Sequence, residues 1–151
     1  MNGRGETKLI FPGLADFYAS WGEIAYALIR VVMGYILIMH GRAKVTAPGL
    51  AGVSGMMAKN NLVPGGVFAG AAMFLETVGA LCLIVGLFTR FFAAALAIEM
   101  GIAFLAVHMS KGFAVGQGGF EYVLLLGIVL FAIAIRGGGP YSVDRMIGKE
   151  L

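Results

Sequence analysis

Four stretches of this chain, at about residues 21–41, 65–89, 91–109 and 118–135, are apolar for about 20 residues each. Each also holds an ionisable side chain. About 20 residues of helix cross a hydrocarbon core about 30 Å thick. Only helices and closed barrels satisfy their backbone groups in lipid, and the strict alternation of a barrel strand is absent, so the stretches are read as helices. The composition agrees: 60% of the residues are hydrophobic and 13% charged, against about 25% charged in a soluble domain. The fold class predicted is an all-α membrane protein, a four-transmembrane-helix bundle. After four spans, 151 residues leave no room for a separate soluble catalytic domain, so residues 1–151 are expected to form one membrane unit in contact with the lipid bilayer.

The net charge of +3 comes from Lys and Arg scattered singly, which is no footprint for nucleic acid. The single Cys82 excludes an internal disulfide and a CxxC redox pair. Asp16 and Glu6 interrupt the first 20 residues, which lack the apolar core of a cleavable leader, so the first span is expected to serve as its own insertion signal.

The connections differ in length. Gly86 to Phe92 reads as a tight hairpin turn, and Met109 to Gly119 as a short Gly-rich return. In the longer first loop, Arg42 to Pro64, Leu50, Val53, Met56 and Met57 recur at helical spacing before Asn60, Asn61 and Pro64 break the pattern. This predicts a short amphipathic helix in the first loop, at the interface or over the mouth of the bundle; a solvated loop is the alternative. With both termini cytoplasmic, Arg4, Lys8, Arg90, Arg136, Arg145 and Lys149 lie inside, against Arg42, Lys44, Lys59 and Lys111 outside. The positive-inside rule favours that orientation.

Charges inside the spans are the candidate site, because isolated charges in lipid are costly and tend to face one another or a wet cavity. Arg30, Glu76 and Glu99 each lie about 10 to 12 residues from the expected outer ends of their helices, roughly 15 to 18 Å deep. The counting therefore predicts a ligand-binding set at one level, with Arg30 pairing one carboxylate and the other holding a proton. A buried clamp that only sets helix register is the alternative. Nearer the outer surface, His40 with Arg42 and Lys44, His108, and Glu121 with Gln117 form a second group. His108 and Glu121 are the candidate catalytic proton carriers, and His40 and Lys44 candidate ligand contacts; interfacial side chains reaching for water are the alternative. No HxxxH or ExxH spacing occurs in one helix, so no metal is expected. The pairs Gly66/Gly70, Gly112/Gly116 and Gly79/Gly86 are expected to permit close helix approach. Trp21, Tyr26, Tyr122 and Tyr141 read as interfacial anchors.

In order along the chain, MHGRAK, ETVGALCLIVGLFTR, a His followed by GF and then GGFEYVLLL, and GGGPYSVDR span about Ile29 to Arg145. This combination resembles the DoxX family of small four-helix membrane proteins. The resemblance implies a bundle in the bacterial inner membrane, similar to DoxD, the membrane subunit of thiosulfate:quinone oxidoreductase. It also implies a quinone or another small redox-active molecule as ligand. The family's recurrent polar positions correspond to Arg30, His40, Gly41, Lys44, Glu76, Arg90, His108, Glu121 and Ser142 to Asp144; Glu99 rests on spacing alone.

The expected function is an integral membrane subunit of a redox system, binding a quinone or similar molecule and working with a partner enzyme. No haem, flavin or iron–sulfur ligand pattern is present, so it would be an oxidoreductase subunit without a redox cofactor of its own. A non-enzymatic assembly or scaffold protein is the alternative. A small proton-linked transporter is disfavoured because no span is broken near its middle by Gly or Pro. A homo-oligomer stays open.

Overall fold

The computed structural model describes residues 8–150; Arg4 and Glu6, on which the expected orientation and insertion signal partly rest, and the terminal Leu151 lie outside them. The described residues form helices and no strands. A 3-10 turn opened by Pro12 leads into α1, Ala15–Thr46, the longest helix at 32 residues. Proline suits that first turn because its missing N–H would have no helical partner. The first loop contains α2, Gly49–Lys59, the short helix expected there. Its Val53 is fully buried, whereas Leu50 and Met56 are about half exposed. Gly65, which opens α3, packs directly on the Ser54 carbonyl, so α2 folds back over the start of the second span.

The second span is continuous from Gly65 to Val85, built from α3, Gly65–Phe74, a π turn at Leu75–Gly79, and α4, Ala80–Val85. Gly86 ends it in a left-handed conformation (φ 74°), which a residue with a Cβ adopts poorly. The chain reverses at once into α5, Thr89–Ala103, as the hairpin reading expects, and continues through a second π turn, Phe104–His108. The Gly-rich return leads to α6, Glu121–Arg136, and a glycine-rich turn to the short α7, Val143–Ile147.

Among the described residues three helical stretches, Pro12–Thr46, Gly65–Val85 and Thr89–Lys111, are long and apolar enough to cross a membrane. The expected fourth, α6, is apolar, but its 16 residues rise about 24 Å, short of a core about 30 Å thick. Leu37, Leu83, Leu96, Leu130 and Ile133 fill the centre where α1, α4, α5 and α6 meet. The outer faces are equally apolar: Leu28, Ile98, Leu105, Ile128 and Phe131 are exposed on them. Apolar residues both inside and outside a helical bundle are expected of a membrane protein in contact with lipid.

The register of α1 differs from the depth counting. A Cβ on Gly34 would lie 2.6 Å from Ile84 Cγ1, and one on Gly41 2.5 Å from the Glu76 carbonyl oxygen. These two glycines, seven residues apart, form the close seam, whereas Gly70 and Gly116 face open space and Gly66 only approaches Ser54. Gly41 is therefore level with Glu76 rather than with Gly65, a slip of about 11 residues against the assumed alignment. Gly41→Ala is expected to lower stability by about 1–3 kcal/mol by forcing two backbones apart, while Gly70→Ala has no such effect. Thermal unfolding in detergent checks the pair, and equal behaviour of the two variants would refute the seam.

Candidate functional site

The seam sets the chemistry. With Gly41 against Glu76, the next helical turn of α1 brings Lys44 to the same level, and its ammonium forms a salt bridge with Glu76 Oε2. The Glu76 side chain is only 5% exposed and Lys44 24%. Glu99 of α5 lies near both, within range of their charges. Its Oε2 is buried with no hydrogen-bonding partner. Glu76 is 11 residues from the start of its span and Glu99 10 from the start of α5. Each therefore lies about 15 Å from a helix end, near mid-span. The two carboxylates thus meet as the spacing predicts, but their cation is Lys44.

Arg30 is elsewhere, and this corrects the expected trio. Its Nη1 donates to the carbonyls of Leu83 (2.5 Å) and Ile84 (2.8 Å), and its Nη2 to that of Tyr141 (2.6 Å). Because α1 is slipped relative to the second span, residue 30 falls opposite the end of α4, where the last helical carbonyls need donors. Arg30 is 1% exposed and ties that helix end to the segment before α7.

The same end is fastened by groups the sequence analysis did not pick out as a unit. Asp144, also 1% exposed, accepts from the Phe88 N–H (2.7 Å) and the Thr89 N–H (2.9 Å), capping α5 from the far end of the chain. Ser142 in turn caps α7 by accepting from the Arg145 N–H at 3.2 Å. The Tyr26 hydroxyl donates to the Gly137 carbonyl. Arg90 binds Glu150 at 2.7 Å and donates to the carbonyls that end α6, while Arg136 binds Glu23 at 2.7 Å. The Ser142-Val143-Asp144 order was a readable cap signal; that Asp144 serves a helix start more than 50 residues away was not.

At the other mouth the expected His108–Glu121 pair is not made directly. His108 Nδ1 lies 2.7 Å from the Gly118 carbonyl, and Glu121 accepts from the Val115 N–H at 2.9 Å, so each braces the Gly-rich return. His40 is exposed, its ring 6.2 Å from that of Tyr122 and one helical turn before Lys44. Both Glu76 and His108 sit in π turns. Such turns add a residue to the helical circuit and often occur at functional sites. An apolar groove of about 240 Å³ runs between α5 and α6 past Met100, Phe104 and Gly127, and Glu99 is not part of its lining. Among the described residues no group of three or more His, Cys, Asp or Glu side chains is placed to hold a metal ion.

These features define a helical membrane protein with a lysine–dicarboxylate cluster inside the bundle. The chain matches the DoxX family over residues 25–109 and belongs to it. It is 33% identical over 130 residues to an uncharacterized protein of Haemophilus influenzae, covering 82% of this chain and 91% of that one. A second uncharacterized protein of the same organism is 32% identical over 89 residues, 59% of each chain. No solved structure matches. The family match includes Arg30, His40, Lys44, Glu76, Glu99 and His108, and stops before Glu121 and Asp144.

Proposed function

We propose that this protein is a subunit of a redox system in the bacterial inner membrane, binding a quinone or similar small redox-active molecule beside Lys44, Glu76 and Glu99 and working with a partner enzyme that supplies electrons. The observation that carries this reading is the unpartnered Glu99 Oε2, buried next to a second carboxylate whose own partner is Lys44. A buried polar atom without a partner is expensive unless a ligand or a proton meets it. Two facing carboxylates with a single cation are eased by one proton held between them.

The residues suit a carbonyl ligand. Lys44 has three donors and spends one on Glu76, leaving N–H groups for a quinone oxygen. A bound quinone would supply the two-electron chemistry that these side chains lack. Glu99 then holds the proton that a reduced oxygen takes up, Glu76 keeps Lys44 in place, and His40, exposed one helical turn before Lys44, is the group that resupplies it. His108 and Glu121 retain the role of proton carriers at that mouth, acting through the Gly-rich return rather than through each other. Arg30 supports the site only by setting the register of α1. In this reading α6 is the fourth span, residues 1–151 form one unit, and both termini are cytoplasmic. With Lys44 drawn into the bundle, the outer side keeps three cations of the original four.

Lipids extracted from purified protein, together with quinone binding in lipid nanodiscs, test this. Glu99→Gln and Lys44→Met are each expected to weaken binding at least about tenfold, the loss of one charge-assisted hydrogen bond. His108→Ala is expected to slow partner-dependent quinone reduction while leaving binding intact. If no quinone is retained or bound, and partner activity is unchanged in all three variants, the reading fails.

A scaffold reading is favoured by one observation. Pro12 to Gly22 at the start of α1 is exposed throughout, with nothing packed on it, which leaves a helical arm for a partner protein. A stoichiometric partner whose activity survives substitution of Lys44, Glu76 and Glu99 would select it.

A further inference from the structure

A cavity of about 600 Å³ opens at the end of the bundle remote from the first loop, lined by Glu23, Arg136, Asp144, Arg145, Lys149 and Glu150 among others. Each of its acids already has a donor, although Glu23 Oε2 is buried without a partner. Asp144 accepts from two backbone N–H groups, Glu150 from Arg90 and the Gly138 N–H, and Glu23 from Arg136. Two of its cations are uncommitted: among the described residues Arg145 and Lys149 form no ion pair. Arg145 stands in α7 and Lys149 just beyond its left-handed Gly148 end, and both side chains line the cavity.

The level of the cavity identifies the kind of anion. Arg136 ends α6 and Asp144 caps the start of α5, so the cavity lies where the apolar helices stop, at headgroup depth. Between the two free cations, Met146 is 84% and Ile147 50% exposed, and Tyr141 is 58% exposed beside them. Phe17, Tyr18 and Trp21, also about half exposed, continue the aromatic surface along α1 beyond Glu23. A soluble anion has no use for an apolar fringe, whereas basic residues interleaved with exposed apolar ones suit a lipid interface.

We propose that this cavity binds the phosphate of an anionic phospholipid of the adjoining leaflet, through Arg145 and Lys149. The apolar fringe rests against the upper acyl chains. The site is independent of the lysine–dicarboxylate cluster and of any quinone.

The test uses full-length protein in nanodiscs of equal parts phosphatidylglycerol and phosphatidylcholine, with the lipid retained after mild detergent transfer identified by mass spectrometry. The wild type is expected to retain phosphatidylglycerol over phosphatidylcholine by up to about 30-fold, since each cation near an anionic surface contributes a factor of about 5. The double variant Arg145→Gln/Lys149→Gln should lose the preference, and Lys59→Gln/Lys111→Gln, which removes the same charge elsewhere, should keep it. If the double variant does not fold, Lys149→Gln alone should reduce the preference about fivefold. Preference retained without these cations, or lost equally in the Lys59/Lys111 control, overturns the proposal. Displacement of the lipid by millimolar inorganic phosphate would show a soluble-anion site and overturn it as well.

Discussion

Lys44→Met should destabilise the protein by about 3 kcal/mol, because it leaves Glu76 and Glu99 in the bundle without their cation. Glu76→Gln in the same background should recover much of the loss, since it removes the charge that the lysine balanced. The change that is harmful alone is thus compensated by its neighbour, which distinguishes a charge effect from a simple loss of packing. Thermal unfolding of the two single variants, the double variant and the wild type in one detergent reads the coupling. A double variant no more stable than Lys44→Met would show that the pair is not the source of the effect.

Arg30→Met should have an effect of similar size for a different reason. The fork of Arg30, itself 1% exposed, serves three carbonyls, those of Leu83 and Ile84 at the end of α4 and that of Tyr141 in the tail. Removing it strands all three, at about 1 kcal/mol or more each, or about 3 kcal/mol together. A lysine offers a point charge in place of the fork and should recover only part of this. The expected signature is local as well as global: residues 141–150 should exchange amide hydrogens faster, because Arg30 holds Tyr141 and the Asp144 N–H is held by the Gly86 carbonyl at 2.9 Å. Unchanged exchange in that segment would refute the clamp. Binding at Lys44, about four helical turns further along α1, should survive in the fraction that remains folded.

The contrast between these residues shows what was readable. Glu76 and Glu99 were found by counting from the outer ends of their helices, and the count holds because the tight hairpin between them forces the two spans into one register. Lys44 was assigned to the outer mouth and Arg30 to the middle by the same counting, because α1 joins the second span through a long loop that leaves its register open. The glycines that close that register, Gly34 and Gly41, have the same seven-residue spacing as Gly79 and Gly86, and spacing alone does not single them out over those or over Gly66 and Gly70. Only the shape of the opposing helix makes one pair a seam and leaves Gly70 facing open space. The π turns around Glu76 and His108 were likewise invisible to a straight-helix projection, although they decide which way those side chains point.

By itself the sequence determined the class of protein. Long apolar runs, scarce charge and missing strand alternation admit only helices in lipid, because every backbone polar group must be satisfied within its own segment. It also determined that the few charges inside those runs must find partners, since lipid provides none. Which partner each one finds was decided by tertiary structure alone. Register along a helix pair is set by contacts between residues distant in the chain, and a slip of three turns gave Lys44 to the carboxylates and Arg30 to the helix ends.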